Sequence, residues 1–254
     1  MSDNQNPHAV ISPLAWDSDF FKRKIGSLTG ALSEATISAS VESARTDGFE
    51  YLVCRPPVDD AAAIRALEAA GFYLTDVGVT WASSPAAYLA RHAPASAAVR
   101  HATAADLPLL SEHAVTLFRR SRFYSDPFFT EADADRLHVA WLANSVSGQA
   151  ASAVLINPDA GFVTLKLTKN GRGEVPLIGV WEQARQRGAG RELMTAAVRW
   201  FADHGVTLVT VKTQVKNLRA MNFYHRLGFD LLEMDMTMCC MLGGRIPNTQ
   251  RNAR

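Results

Sequence analysis

Cysteine is scarce in this 254-residue sequence: Cys54 and the adjacent Cys239 and Cys240 are too few for a disulfide framework and form no CxxC metal pair. The seven histidines show no HExxH spacing, so no metal is expected. No uninterrupted apolar run approaches the roughly 20 residues that a membrane helix requires. An excess of charge is lacking too, since 26 Lys and Arg stand against 25 Asp and Glu, a net of +1. Nothing global can hold a nucleic acid or an anionic membrane, and neither is expected as a partner. The first residues, MSDNQNPHAV, have no basic start and no apolar core, so the expected compartment is the cytoplasm. Any anionic ligand must therefore be held by local geometry.

The composition that remains, 48% hydrophobic and 20% charged, is that of a folded globular chain long enough for one large domain or two small ones. Residues 1–10 and 243–254 are polar and aperiodic and are expected to be flexible tails. APASAA at 93–98 combines small residues with proline and suggests a boundary, giving domains 11–95 and 96–242. The two halves share a plan. Gly48 to Gly71 and Gly205 to Gly228 each span 23 positions, and an offset of 157 also pairs Val58 with Val215, Ala63 with Ala220, Phe72 with Phe229 and Thr80 with Thr237. Each stretch reads strand, helix, Gly-Phe, strand, which fits either a structural repeat or two unrelated β-α-β pieces with a common helix stop.

In the second half, periodicity predicts a strand near Val99 and helices over 105–119 and 130–145. Strands are expected at 151–157, 161–168 and 175–181, then a helix over 188–204, a strand at 206–212, a helix over 217–227 and closing strands around Leu231 and Met236. A meander running into β-α-β-α-β implies an α/β (α+β) fold, with a mixed, mostly antiparallel sheet flanked by helices.

The sharpest motif is Arg185-Gln186-Arg187-Gly188-Ala189-Gly190, after a strand and at the start of a helix with Leu193, Met194, Ala197, Val198 and Phe201 on one face. Glycines allow close backbone approach, the first helix amides point outward with the positive dipole end, and the arginines add charge-assisted donors, together an anion cradle. Position 193 is Leu, so the G-x-G-x-x-G fingerprint fails, and the lysine of a P-loop is missing; a plain glycine-rich turn would share the spacing.

The strand ending at Val180, the R-x-x-G-x-G loop and the later Asn217, Tyr224 and Gly228-Phe229 follow the order of the GCN5-related N-acetyltransferases, which residues 98–242 resemble. The resemblance implies acetyl-CoA as cofactor and a sheet of acetyltransferase type. It puts the pyrophosphate on Arg185, Gln186, Arg187, Gly188, Ala189, Gly190 and Arg191, the pantetheine arm along Ile178, Gly179 and Val180 with Asn217 beside it, and a general acid at Tyr224. The residues around Tyr224 also suit a packed core tyrosine. Glu174 is a candidate base, or else a solvated turn residue. WEQARQ, between the strand and Gly188, is longer than the family pattern.

PLAWDSDFFKRKIGSL, LFRRSRFYSDPFF and RLHVAWLANSV resemble, within that family, enzymes that acetylate dTDP-linked 4-amino-4,6-dideoxyhexoses for bacterial surface polysaccharide. This likeness implies a nucleotide-sugar acceptor and, ahead of the catalytic domain, a truncated copy of the same fold. That copy has Leu67 where the second has Tyr224 and no glycine cradle, so it is expected to be catalytically empty. Arg122, Phe123 and Asp126, in a stretch of cationic, hydroxyl and aromatic side chains after a helix, are candidate acceptor residues; a solvated basic loop would look the same. A homodimer is compatible with these readings. The rivals are the same fold with another small or protein amine as acceptor, and a non-catalytic acyl-CoA-binding module.

Overall fold

The computed structural model describes residues 9–93 and 98–243. The expected boundary at residue 95 lies outside these residues, as do the expected tails except for 9–10 and 243. In chain order the elements are β1 (Val10–Pro13), α1 (Ala15–Phe21), β2 (Ile25–Thr29), α2 (Glu34–Thr46), β3 (Tyr51–Cys54), α3 (Ala61–Ala69), β4 (Tyr73–Ser83) and α4 (Pro85–Leu89). They continue as β5 (Arg100–His101), α5 (Leu107–Leu117), α6 (Glu131–Val146), β6 (Ala153–Asn157), β7 (Gly161–Leu167), β8 (Gly173–Val175) and β9 (Ile178–Val180). The last are α7 (Ala189–Asp203), β10 (Val209–Gln214), α8 (Leu218–Arg226) and β11 (Asp230–Met241).

Two compact units result, and neither is continuous in sequence. One takes residues up to Gly78, Arg122–Thr130 and the chain from Met234; the other takes Val79–Ser121 and Glu131–Glu233. The chain thus changes unit within β4 and again within β11.

The first unit orders its strands β1-β2-β3-β11-β4. β2 and β3 run parallel, Ile25 opposite Tyr51, whereas β3 and β11 run antiparallel, Cys54 opposite Met238. Alternation along β3 sends Leu52 and Cys54 to one face, where Ile37, Val41 and Ala44 of α2 and Leu67 of α3 complete a core. Tyr51, on the other face, stacks on Phe128 at 4.2 Å between ring centroids.

The second unit orders its strands β4-β10-β8-β7-β6-β5, with β9 paired to β7. Its core is the apolar face of α7, Leu193, Met194, Ala197, Val198 and Phe201, against Val209 and Val211 of β10 and Val163 and Leu165 of β7. α5 and α6 cover a second cluster with Leu110, Leu142, Phe162 and Trp181, all fully buried.

The repeat is real in three dimensions. α3 and α8 begin and end at positions 157 apart, behind Asp60 and Asn217, which both cap by accepting the N–H of the third residue on, Ala63 and Ala220. Gly71 and Gly228 close them at φ +89° and +79°, where a side chain would be strained, and β4 and β11 start two residues later.

One expected strand is divided. The span 175–181 becomes β8 and β9, because Pro176 offers no N–H to the ladder. Thr164 of β7, fully buried, fills the break: its N–H donates to the Leu177 carbonyl at 2.8 Å and its hydroxyl accepts the Leu177 N–H at 2.9 Å. β8 pairs in parallel with β10 as far as Val175 opposite Val211, whereas β9 pairs with β7 alone. The sheet therefore forks between β9 and β10.

Candidate acetyl-group transfer site

β9, the start of α7 and α8 converge beside the fork. Gly190 marks the meeting point: a Cβ there would lie 3.1 Å from Phe223 on α8 and 3.4 Å from Val180 on β9. The absence of a side chain lets the helix start press against both elements.

Trp181 anchors the connection from β9 to α7. It is fully buried, donates from Nε1 to the Pro158 carbonyl at 2.9 Å and stacks on His113 at 3.9 Å. Glu182–Ala184 then make a single 3-10 turn, which takes up the extra length of WEQARQ. Gln186 follows with φ +64°, a left-handed backbone rarely adopted by a side-chain-bearing residue, and Gly188 repeats it at +88°. These reversals turn the chain sharply into α7.

The helix N-cap is Gly188, which brings no side-chain acceptor, and the first helical bond runs from the Glu192 N–H to the Gly188 carbonyl at 3.1 Å. The amides of Ala189, Gly190 and Arg191 thus lie ahead of the ladder, with the dipole's positive end, ready for an anion. The corresponding helix of the first unit, α2, closes its end with Ser33 and Thr36, which bond reciprocally to each other's backbone. That cap takes up the N–H of the third helical residue, the counterpart of the Arg191 amide that α7 leaves open. The missing cradle in the first copy, expected from the sequence, has this physical form.

Tyr224 sits on α8 with its ring buried against Phe223 and Phe229, at 5.4 and 6.2 Å. Burial pushes its phenol well above the ordinary tyrosine value and holds it protonated. The hydroxyl makes no hydrogen bond within the described residues, yet it is not sealed from solvent; among those residues, only Trp81 Nε1 is a buried side-chain polar atom without a partner. The repeat places Leu67, fully buried, at the equivalent position of the first unit.

Other expected residues have internal duties. The Asn217 carbonyl oxygen caps α8, and its amide nitrogen donates to Thr213 Oγ1 at 3.2 Å. Arg185 turns its Nε to the Val180 carbonyl at 3.3 Å. Glu174 on β8 lies 3.8 Å from Lys166 and is half exposed.

Arg122, Phe123 and Asp126 belong to the first unit, and the residues of the transfer site to the second. Asp126 is buried with both carboxylate oxygens engaged: it accepts from the Tyr51 hydroxyl, from Tyr73 at 2.9 Å and from the Phe128 N–H at 3.0 Å. Phe123 is buried against Phe21 and Phe129, and the Arg122 guanidinium lies 4.2 Å over its ring. Asp126, expected as an acceptor residue, receives three donors from its own unit. A cavity escaped the sequence reading altogether: about 280 Å³ on the second unit, lined at the apex of the fork by Val175, Pro176 and Lys212 and farther along by Arg172, Glu174 and Thr80. No motif announces it, because its walls come from separate strands.

Residues 109–229 match the sequence profile of the acetyltransferase (GNAT) family. These residues form an acetyltransferase domain of that family, whose members use acetyl-CoA. It is 27% identical to the dTDP-fucosamine acetyltransferase of Escherichia coli, over 87% of this chain and 93% of the other. In fold it matches a protein of unknown function from Staphylococcus epidermidis at a TM-score of 0.68, with 13% identity and 95% and 94% of the two chains covered. It also matches a tandem GNAT protein of the clavulanic acid pathway, at 0.57 with 15% identity over 87% and 76%. These matches agree with a GNAT sheet preceded by a partial copy of itself.

Proposed function

We propose that this enzyme acetylates the amine of a dTDP-linked 4-amino-4,6-dideoxyhexose, by direct attack in a ternary complex, for bacterial surface polysaccharide. The observation that carries the acceptor assignment is likeness to dTDP-fucosamine acetyltransferase along nearly the whole of both chains, beyond the acetyltransferase domain alone. A likeness confined to the cofactor region would carry no such weight.

Acetyl-CoA, when bound, supplies an activated acetyl group as a thioester. The residues present fit it: open amides at Ala189–Arg191 and the cationic Arg187 suit a pyrophosphate. Beside the fork, the edge of β9 turned away from β7 offers backbone groups at Ile178–Val180 to an amide-bearing arm, with the Val180 carbonyl shared with Arg185 Nε. Tyr224 acts as general acid. Its proton goes to the departing sulfur as the C–S bond breaks and the C–N bond forms, and a buried, unpartnered phenol keeps that proton at neutral pH. The acceptor nitrogen loses its proton to water, with Glu174 the nearest carboxylate on β8 to the fork.

Tyr224→Phe tests the assignment. We expect kcat to fall about a hundredfold or more with acetyl-CoA affinity unchanged by calorimetry; wild-type turnover would end the role. The acceptor is tested by comparing the dTDP-amino sugar with a panel of other amines. Efficient turnover of another amine with the nucleotide sugar inert would refute the reading.

A further inference from the structure

The cavity at the fork has a floor and a rim of different chemistry. Its floor is Val175, Thr210 and Thr80, which are 2%, 8% and 7% exposed. Thr210 donates its hydroxyl to the Gly173 carbonyl, at 3.2 Å. Thr80, which lines the cavity and is mostly buried, makes no hydrogen bond within the described residues, and its hydroxyl is not sealed from solvent, so it is available to a ligand there. The rim carries both signs, with Arg172 and Lys212 opposed by Glu174 and Glu233. A purely apolar or purely anionic ligand would leave part of that set uncompensated.

Order along the strands separates the charges. Glu174 is level with Thr210 on β10, and Val175 with Val211 marks the end of the parallel ladder, so Lys212 lies within the fork. Arg172 lies at the opposite end, before Gly173, about 13 Å away at the usual rise per strand residue. Its backbone is fixed, since Thr168 Oγ1 accepts the Arg172 N–H at 3.1 Å and donates to the Arg172 carbonyl at 2.9 Å. Its guanidinium has no hydrogen bond, ion pair or ring partner among the described residues. An Arg fork held on a rigid turn suits a phosphate.

We propose that this cavity seats the amino-sugar ring of the acceptor, that Arg172 selects for it by binding the phosphate on the sugar, and that Thr80 meets a ring hydroxyl. The inference rests on the acceptor reading above. The amine end then points to the fork, past Glu174, and the anionic end to Arg172. At about 280 Å³ the cavity is at the small end of ligand sites, so it takes one sugar ring and leaves the nucleoside outside.

The test is steady-state kinetics of the full chain with the dTDP-linked amino sugar and acetyl-CoA as substrates. Arg172→Ala should raise the acceptor KM about ten- to a hundredfold, the worth of a charge-assisted bond, with the acetyl-CoA KM unchanged. Inhibition by dTDP, competitive against acceptor, should weaken in parallel. Lys169→Ala, in the same turn but outside the cavity, is the control and should alter neither constant. Acetyl-CoA binding by calorimetry verifies that each variant is folded. If wild type turns over the nucleotide sugar and Arg172→Ala leaves its KM within twofold, the cavity assignment alone is wrong. If wild type is inert toward it, the acceptor reading falls and takes this inference with it.

Discussion

At the scale of single residues, carboxylates in this protein differ by what surrounds them. Asp106 precedes α5, accepts the Thr103 N–H at 2.8 Å and takes a bidentate Arg100 at 2.7 and 2.9 Å. Arg100 first, then the backbone bond, hold its carboxyl well below the usual carboxylate range. A depressed folded value favours the native state above the unfolded value near 4, and that contribution is lost as pH falls further toward the folded one. Asp106→Asn should therefore lower Tm at pH 7, and the gap from wild type should narrow steadily below about pH 4. A gap independent of pH would show that charge is not the cause. Asp126 is a different case, because its partners Tyr51 and Tyr73 lie 75 and 53 positions away in the chain. Its acid type and its place among arginines and aromatics were legible in the sequence, and its partners were not.

At the scale of elements, the fork depends on how β9 is held. Gly161 at the start of β7 has φ +150°, and a Cβ there would come within 2.1 Å of the Gly179 carbonyl oxygen, a backbone atom with little freedom to move. Gly161→Ala should displace β9 from β7. We expect a loss of about 2 kcal/mol or more, hence a Tm lower by about 4–8 °C, together with weaker acetyl-CoA binding by calorimetry. Unchanged affinity in that variant would separate β9 from the cofactor. Pro176 in the sequence signals a break, but the direction of the break depends on Thr164, which sits on the neighbouring strand. The helix starts were easier to read, because caps such as Asp60 and Asn217 act within one turn.

At the scale of the whole molecule, the units are not separable by one cut in the chain. Val79, Trp81 and Tyr88 precede residue 95 yet belong to the core of the second unit, where the Tyr88 hydroxyl meets Thr195 of α7 at 3.2 Å. A chain beginning at residue 96 would lack β4 beside β10 and α4 beside α7. We expect it to show no cooperative melting transition and no acetyl-CoA binding; full-length affinity in that fragment would refute the division.

The sequence by itself carried the spacing of the repeat, the approximate helix limits and the glycine-rich turn before α7, because caps, glycines and periodicity are written within a few neighbouring residues. Only the tertiary structure decided where the sheet forks, that Asp126 is enclosed by two distant tyrosines, which residues line the cavity and how the chain is shared between units. Each of these depends on strands far apart in sequence meeting side by side, and local propensity does not encode that pairing.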